Sequence, residues 1–438
     1  MMKVALHNLG CKVNAYETEV MQEMLEINGY EIVPFKEGAD IYIINTCTVT
    51  NMADRKSRQM LHRAKKMNPE AIVVATGCYV QAQENKLEKN KEIDQKIDDC
   101  IDIVIGNNKK REIVTILEEY LKEQQGLKKA VIDINHTKEY EEMHLSKTAE
   151  HTRAYIKVQD GCNQFCTYCI IPFARGRVRS RKKEDVIREV EDLAANGYQE
   201  VVLTGIHLSS YGVDLENESL LSLILAVNEV EGIKRIRLGS LEPRIITEEF
   251  ARTIAGLNKM CPHFHLSLQS GCNATLRRMN RRYTAEEYYE KCQLLRKYFV
   301  NPALTTDVIV GFPGETEEEF AESKAFIDKI NFYETHIFKY SKREGTKAAV
   351  MENQVSEQIK TARSNGLLKL DKEKRRRYEE ALVGTTVEVL MEEQIQMNGK
   401  MLQVGHTKEY VKIGLESEID LQNQLIDVQI KNYLQIIH

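Results

Sequence analysis

Several things are scarce in this chain of 438 residues. Cysteine is one: ten residues, about 2% of the chain, are too few for a secreted disulfide scaffold. Long apolar runs are another. The longest, residues 220–227, is interrupted by Ser222 and falls far short of the ~18 residues that cross a bilayer, which excludes a transmembrane helix. The opening residues, MMKVALHN, hold no apolar core followed by a small-residue cleavage site. No signal peptide is expected, and the cytoplasm is the expected compartment. A surplus of one charge is missing too: the net charge of −5 gives no global sign of nucleic acid. There is no repeat of solenoid period and no low-complexity tract. What remains, 42% apolar and 29% charged residues, is the composition of a globular protein. At roughly 150 residues per domain the length has room for about three domains.

The hydrophobic pattern divides the chain. Residues 1–125 alternate short Val/Ile-rich runs (3–9, 30–33, 40–45, 71–75, 101–105) with helical periodicities (15–28, 52–67, 110–124). That alternation predicts an N-terminal α/β domain on an open parallel sheet. Residues 126–150 are polar and read as a linker with one strand at 130–134. From 151 to 372 a second series has six strands (153–158, 200–204, 234–238, 263–268, 303–310, 333–340) and five intervening helices. It suits a partial (β/α)6 barrel. Residues 373–438 follow a charged helical stretch. Their short alternating runs around an Asn398-Gly399 turn predict a small all-β barrel.

Six of the ten cysteines carry pattern. Cys162, Cys166 and Cys169 form a C-x3-C-x2-C triplet in one loop just after a strand. Three thiolates so placed can hold three irons of a four-iron cluster and leave the fourth open. The competing reading is a zinc site completed by His151 or His207, although zinc sites more often show paired C-x2-C knuckles. Cys11, Cys47 and Cys78 lie far apart in sequence, but each follows directly on a predicted strand. In a parallel sheet the carboxyl ends of the strands share one edge, where ligands bind. The three therefore read as a second cluster site, with redox thiols or coincidence as the alternative. Cys100, Cys261, Cys272 and Cys292 have no ligand spacing and read as small buried residues.

The triplet, with Tyr168 before its last cysteine, resembles the radical S-adenosylmethionine superfamily. The wider arrangement resembles that of the methylthiotransferases within it: an N-terminal cluster domain, a radical domain and a C-terminal RNA-binding β-barrel called TRAM. The resemblance implies two 4Fe-4S clusters and S-adenosylmethionine as cofactors. It makes Cys162, Cys166 and Cys169 ligands of the radical cluster, and Cys11, Cys47 and Cys78 ligands of the auxiliary cluster that handles sulfur. It also implies an electron donor, which the sequence does not identify, as it does not give the oligomeric state.

Further residues at strand ends are candidates for holding S-adenosylmethionine. Thr204 and Gly205 end the second barrel strand, where superfamily members bind the methionine amino group. Ser267 and Gln269 share one strand face and are candidate ribose or carboxylate contacts. Arg281 suits the cofactor's carboxylate, and Gly311 begins a loop that resembles the family's adenine-stacking segment.

Three basic groups suggest contact with a phosphate backbone: Arg175, Arg177, Arg179, Arg181, Lys182 and Lys183; then Arg277, Arg278, Arg281 and Arg282; then Lys374 to Arg377. By resemblance the partner is the anticodon stem-loop of tRNA. Family members act on tRNA adenosine bearing an isopentenyl or a threonylcarbamoyl group, or on an aspartate of a ribosomal protein. The residues around Cys11, LGCKVNAYE, most resemble the threonylcarbamoyl-adenosine type, which acts at tRNA position 37.

Overall fold

Short Val/Ile runs that are buried on both faces need helices above and below them, and this requirement builds the first domain. The computed structural model describes residues 1–87, 100–123, 126–147, 152–397 and 399–437. Six parallel strands, β1 (Lys3–Asn8), β2 (Glu31–Ile32), β3 (Ile41–Thr46), β4 (Ile72–Gly77), β5 (Ile103–Ile105) and β6 (Lys128–Ala130), lie in the order β2-β1-β3-β4-β5-β6. Every residue of β3 is buried. The helix Lys12–Ile27 packs Tyr16, Val20, Met21 and Leu25 on one side of the sheet. Leu61 and Ala64 of the helix Asn51–Met67 pack on the other.

The strand expected at 130–134 lies instead at Lys128–Ala130, set by parallel pairing with Ile103–Ile105. Beyond it the Asp133 carboxylate accepts from the Asn135 amide at 3.0 Å, a local turn that ends extension. The following segment returns to the core. Met143 and Leu145 are buried against the first helix, and the Tyr16 hydroxyl donates to the Met143 carbonyl at 2.7 Å.

The second domain is the expected partial barrel. Its strands are β7 (Arg153–Asp160), β8 (Arg179–Ser180), β9 (Glu200–Gly205), β10 (Arg235–Leu238), β11 (His263–His265), β12 (Ala303–Val310) and β13 (Glu334–Lys339). β7, β9 and β10 pair in parallel, as do β11, β12 and β13. Parallel bridges at Ile236–Met260 and Leu241–Leu266 join the two halves. β8 is antiparallel and edges β7. Ala154, Ile156 and Val158 belong to the core under the outer helices. Strand alternation then turns Arg153, Tyr155, Lys157 and Gln159 to the interior. Thr284 and Thr316 start their helices with capping boxes to Glu287 and Glu319, as such spacing predicts.

The helix Glu357–Glu380 leads from the barrel to the terminal sheet. There β14 (Thr386–Met397), β15 (Lys400–Thr407), β16 (Lys412–Glu416) and β17 (Leu425–Gln429) form an antiparallel sheet in the order β16-β15-β14-β17, with Ile436 bridged to Ile413. Of the expected Asn398-Gly399 turn, Asn398 lies outside the described residues, and Gly399 takes φ +77°. Among the described residues no helix is long and apolar enough to cross a membrane.

This sheet closes the floor of the barrel through charge. Arg235 donates to the carbonyls of His406 and Glu388 at 2.9 and 2.8 Å, and Arg237 to that of Lys408 at 2.8 Å. The Tyr410 ring stacks on His406 and His263 at 4.5 and 5.1 Å, and the guanidiniums of Arg153 and Arg237 lie 4.9 and 4.8 Å from its centre. Two cations on one ring are worth about 0.5–2 kcal/mol each, depending on desolvation. Tyr410→Ala should therefore loosen the terminal sheet. Amide hydrogen exchange in β14 and β15 should quicken while that in β1, β3 and β4 stays as it is. Unchanged exchange in β14 and β15 would show that Tyr410 is not what holds the sheet.

Candidate active site between two cysteine sets

β1, β3 and β4 are neighbours in the first sheet, so their carboxyl ends lie about 5 Å apart in turn. Cys11 caps the helix that follows β1, Cys47 directly follows β3, and Cys78 opens the helix that follows β4. The three thiols are close enough for each to act on another electrostatically. Two glycines make this approach possible. Gly10 has φ +109°, and a Cβ there would stand 2.9 Å from the Cys47 side chain. Gly77 has φ +95°, and a Cβ there would stand 2.5 Å from the Thr46 carbonyl oxygen. The chain order also reverses between β1 and β3, and such switch points are where open α/β sheets bind ligands.

The second set lies in the loop after β7. The Cys162 thiol accepts from the Gln164 amide at 3.5 Å, and the Cys166 thiol from Arg281 Nη1 at 3.3 Å. Burial pushes the Cys47 thiol up to about 12 and the Cys162 thiol up to about 11. Without a cation these thiols keep their protons, and a metal displaces them on binding. Among the described residues no three His, Cys, Asp or Glu side chains converge on one point at single-ion distance. The separate corners of a four-iron cube do not require that. Of the two histidines considered for zinc, His151 lies outside the described residues. His207 shares its Nδ1 with the Ser210 hydroxyl at 2.7 Å. Burial, then the charges of Arg281 and Arg244, push its pKa down to about 4, so the ring is neutral.

Arg175 joins the two sets. It follows the radical loop in sequence, yet its Nε donates to the Cys78 thiol at 3.0 Å. Its other nitrogens reach Glu17 and Asn14 of the first helix and Asp160 at the end of β7. Lys110 and Lys157 also pair with Glu17, at 2.9 and 2.8 Å. Burial works against the Glu17 carboxylate, but these three cations together hold it well below the usual carboxylate range. With Arg179, 3.7 Å from Asp160, four buried cations face these two carboxylates and the buried Glu141, which acts on Lys110 and Lys157. The surplus is positive and touches the Cys78 sulfur, which fits a thiolate-bound, net anionic cluster.

This overturns part of the reading of the basic runs. Arg175, Arg179 and Arg181 are buried at 0, 0 and 1% exposure and meet no phosphate. Arg181 is paired with Glu189 and Glu142. Arg278 pairs with Glu319, Lys374 with Asp328, Arg375 with Glu379 and Arg376 with Glu380. Spacing reveals the charge of such runs but not the carboxylates folded against them.

A cavity of about 250 Å³ lies between the domains. Val49 and Thr50 line it from the first domain, and Cys169, Gln269, Asp307 and Tyr340 from the barrel. Arg343 fixes this junction through Asn51 and Thr48, both at 2.7 Å. Gln269 takes φ +70°, a strained conformation for a residue with a side chain, of the kind that clusters at functional sites. Thr204 is buried near the end of β9, and Gly205 packs on Gln159, where a Cβ would stand 2.9 Å from that side chain. The Ser267 carbonyl accepts from Tyr283 at 2.7 Å, and the Arg281 guanidinium lies 4.9 Å from the Tyr283 ring. Gly311 has φ +70°, and the space above it is filled by the stem of Lys360. Sequence reasoning missed Glu17, Asp160, Lys157 and Asp307, because nothing in their spacing marks them.

A partial parallel barrel with a three-cysteine loop at its strand ends defines a radical S-adenosylmethionine protein. The family model described as Radical SAM superfamily matches residues 156–327, and that described as Uncharacterized protein family UPF0004 matches residues 3–98. Threonylcarbamoyladenosine tRNA methylthiotransferase MtaB of Bacillus subtilis (strain 168) is 40% identical over 98% of this chain and 94% of its own. The protein of that name from Aquifex aeolicus (strain VF5) is 43% identical over 90 and 93%. tRNA-2-methylthio-N(6)-dimethylallyladenosine synthase of Thermoanaerobacter pseudethanolicus is 38% identical over 88 and 81%. Among solved structures, the radical S-adenosylmethionine methyltransferase TsrM of Kitasatospora setae, with cobalamin and a 4Fe-4S cluster bound, aligns at TM-score 0.56 and 17% identity. That alignment covers 80% of this chain and 74% of TsrM, a likeness of fold. The chain belongs to the methylthiotransferase family of radical S-adenosylmethionine enzymes, whose cofactors are S-adenosylmethionine and 4Fe-4S clusters.

Removing one partner of a buried ionic network costs about 3–5 kcal/mol, whereas a surface contact costs under ~1. Arg175→Met should therefore lower the urea midpoint of the metal-free protein strongly. Arg177→Met, which loses a ring contact to Phe165, should lower it little. Equal effects would remove Arg175 from its structural role.

Proposed function

We propose that this enzyme converts N6-threonylcarbamoyladenosine at position 37 of tRNA to its 2-methylthio derivative. The observation that carries the reading is the meeting of two three-cysteine sets at one domain junction, joined by Arg175 from the loop of one to the thiol of the other. Near-full-length similarity to the two methylthiotransferases named for threonylcarbamoyladenosine supports the substrate.

In this reading Cys162, Cys166 and Cys169 ligate the radical cluster, and Cys11, Cys47 and Cys78 the auxiliary one. Thr204, Gly205, Ser267, Gln269, Arg281 and Gly311 surround S-adenosylmethionine. The bound cofactors supply a 5′-deoxyadenosyl radical, a methyl group and sulfur. The protein's own residues do the rest. Arg281 and Arg175 offset thiolate charge, and neutral His207 adds none. Val49 and Ile309 give the cavity apolar walls, and Arg343 ties the first domain to the barrel beside it. The working divisions are residues 1–125 for the auxiliary-cluster domain, 126–150 for the connection, 151–372 for the radical domain and 373–438 for RNA binding. The reaction draws on tRNA and a one-electron donor, and its compartment is the cytoplasm.

Anaerobically reconstituted protein should hold about eight irons per chain. Triple alanine variants of either cysteine set should each hold about four, and retention of all eight in either would overturn the ligand assignment. In tRNA from a deletion strain, nucleoside mass spectrometry should find the 2-methylthio threonylcarbamoyl nucleoside gone and its precursor raised. Unchanged levels would overturn the substrate.

A further inference from the structure

Arg175, Arg179, Arg181 and Lys374 to Arg376 are spent on carboxylates of the chain itself, so a phosphate backbone needs other cations. The helix Asn51–Met67 of the first domain carries Arg55, Lys56, Arg58, Arg63, Lys65 and Lys66 against one acid, Asp54, in a chain whose net charge is −5. Asp54 is already engaged: it accepts from the Thr48 hydroxyl at 2.7 Å and pairs with Arg343 at 2.8 Å. Lys65 pairs with Asp102 at 3.0 Å. Arg55, Lys56, Arg63 and Lys66 are exposed, and their side chains form no ion pair or hydrogen bond among the described residues. At about 100° per residue the four fall, with Gln59 and His62, in one arc of roughly 120°. That arc lies opposite the buried Ser57, Leu61 and Ala64.

This stripe of charge has a direction. Val49 and Thr50, just ahead of the helix, line the cavity at the domain junction. Asn51 is tied to the barrel: its amide donates to the Ser341 hydroxyl at 3.0 Å, and its side-chain carbonyl accepts from Arg343 at 2.7 Å. At 1.5 Å of rise per residue, Arg55 stands about 6 Å and Lys66 about 22 Å along the axis from Asn51. A row of unneutralised cations therefore starts near the cavity rim and leads away from it over about three helical turns.

From Arg55 to Lys66 the exposed residues are all polar. A protein partner is usually gripped through an apolar centre with a charged rim, and this face has no such centre. A linear polyanion needs none, because phosphates are held by cations alone and these contacts position the nucleic acid without reading its bases. We propose that the exposed face of the helix Asn51–Met67 binds the phosphate backbone of the anticodon stem while a nucleotide of the loop occupies the cavity. The first domain then orients the RNA as well as carrying a cysteine set. This rests on the tRNA substrate proposed above, and not on which group N6 of the adenosine bears.

The test uses reconstituted full-length enzyme, a fluorescein-labelled anticodon stem-loop carrying threonylcarbamoyladenosine, and dithionite as reductant. Wild type is compared with the helix variant Arg55→Gln/Lys56→Gln/Arg63→Gln/Lys66→Gln. A control, Arg252→Gln/Lys291→Gln/Lys324→Gln/Lys329→Gln, removes the same charge from the outer helices of the barrel. Fluorescence anisotropy gives Kd over a range of salt concentrations. Each phosphate neutralised contributes about 0.7–0.9 to the slope of log K against log salt, so the helix variant should lose about 3 from that slope. Its Kd at low salt should rise by about tenfold or more, with iron per chain as in wild type, and the loss should appear in KM for the RNA rather than in kcat. The control should keep the wild-type Kd and slope. A helix variant with wild-type Kd and slope overturns the inference and leaves an acidic protein as the partner of this face. An equal loss in the control overturns it too, as does turnover that falls only in proportion to lost iron. If wild type binds the stem-loop through these cations yet does not methylthiolate it, the proposed substrate fails and the inference stands.

Discussion

A guanidinium without access to water holds the two halves of this enzyme in register. Arg175 leaves the radical loop, spans the junction and ends on a sulfur of the other cysteine set, while Glu17 and Asp160 neutralise it from opposite domains. A buried charge tolerates little displacement, because any movement that breaks its hydrogen bonds exposes the full desolvation cost. The network therefore fixes distance and angle between two loops that the chain connects only loosely. It also explains why Lys110, Lys157 and Arg179 are buried in the same place: Lys110 pairs with Glu17, Arg179 with Asp160, and Lys157 with both.

The same economy of charge shapes the barrel floor. Arg153, Arg235 and Arg237 hold the terminal sheet through Tyr410, Glu388 and Glu392, and their carboxylates are used up in doing so. The site is thus bounded by two ionic networks, one that spaces the cysteine sets and one that closes the barrel.

Much of this was legible in the sequence. The six barrel strands follow from Val/Ile runs at regular spacing, and the C-x3-C-x2-C loop is visible because its three cysteines lie within eight residues of sequence. Cys11, Cys47 and Cys78 were legible for a different reason: strand ends share an edge, and β1, β3 and β4 prove to be adjacent. The Arg175 network was not legible. Its partner Glu17 lies 158 positions away, and although Glu17 ends the stretch around Cys11 and Arg175 heads a basic run, nothing in the sequence pairs them. The basic run at 175–183 was misread for the same reason, since a one-dimensional pattern shows charges and hides the carboxylates that three-dimensional packing brings to them. The strand at 128–130 was displaced from its expected place because pairing with β5, rather than local propensity, decides where an edge strand lies.

The central claim is that the two cysteine sets form one site. Electron paramagnetic resonance of the fully reconstituted, dithionite-reduced protein tests it most directly, because two paramagnetic clusters at a shared junction split each other's signals. The account predicts such spin–spin splitting in the wild type and a simple single-cluster spectrum in the variant with Cys11, Cys47 and Cys78 all changed to Ala. A wild-type spectrum that is the plain sum of two uncoupled clusters would contradict it.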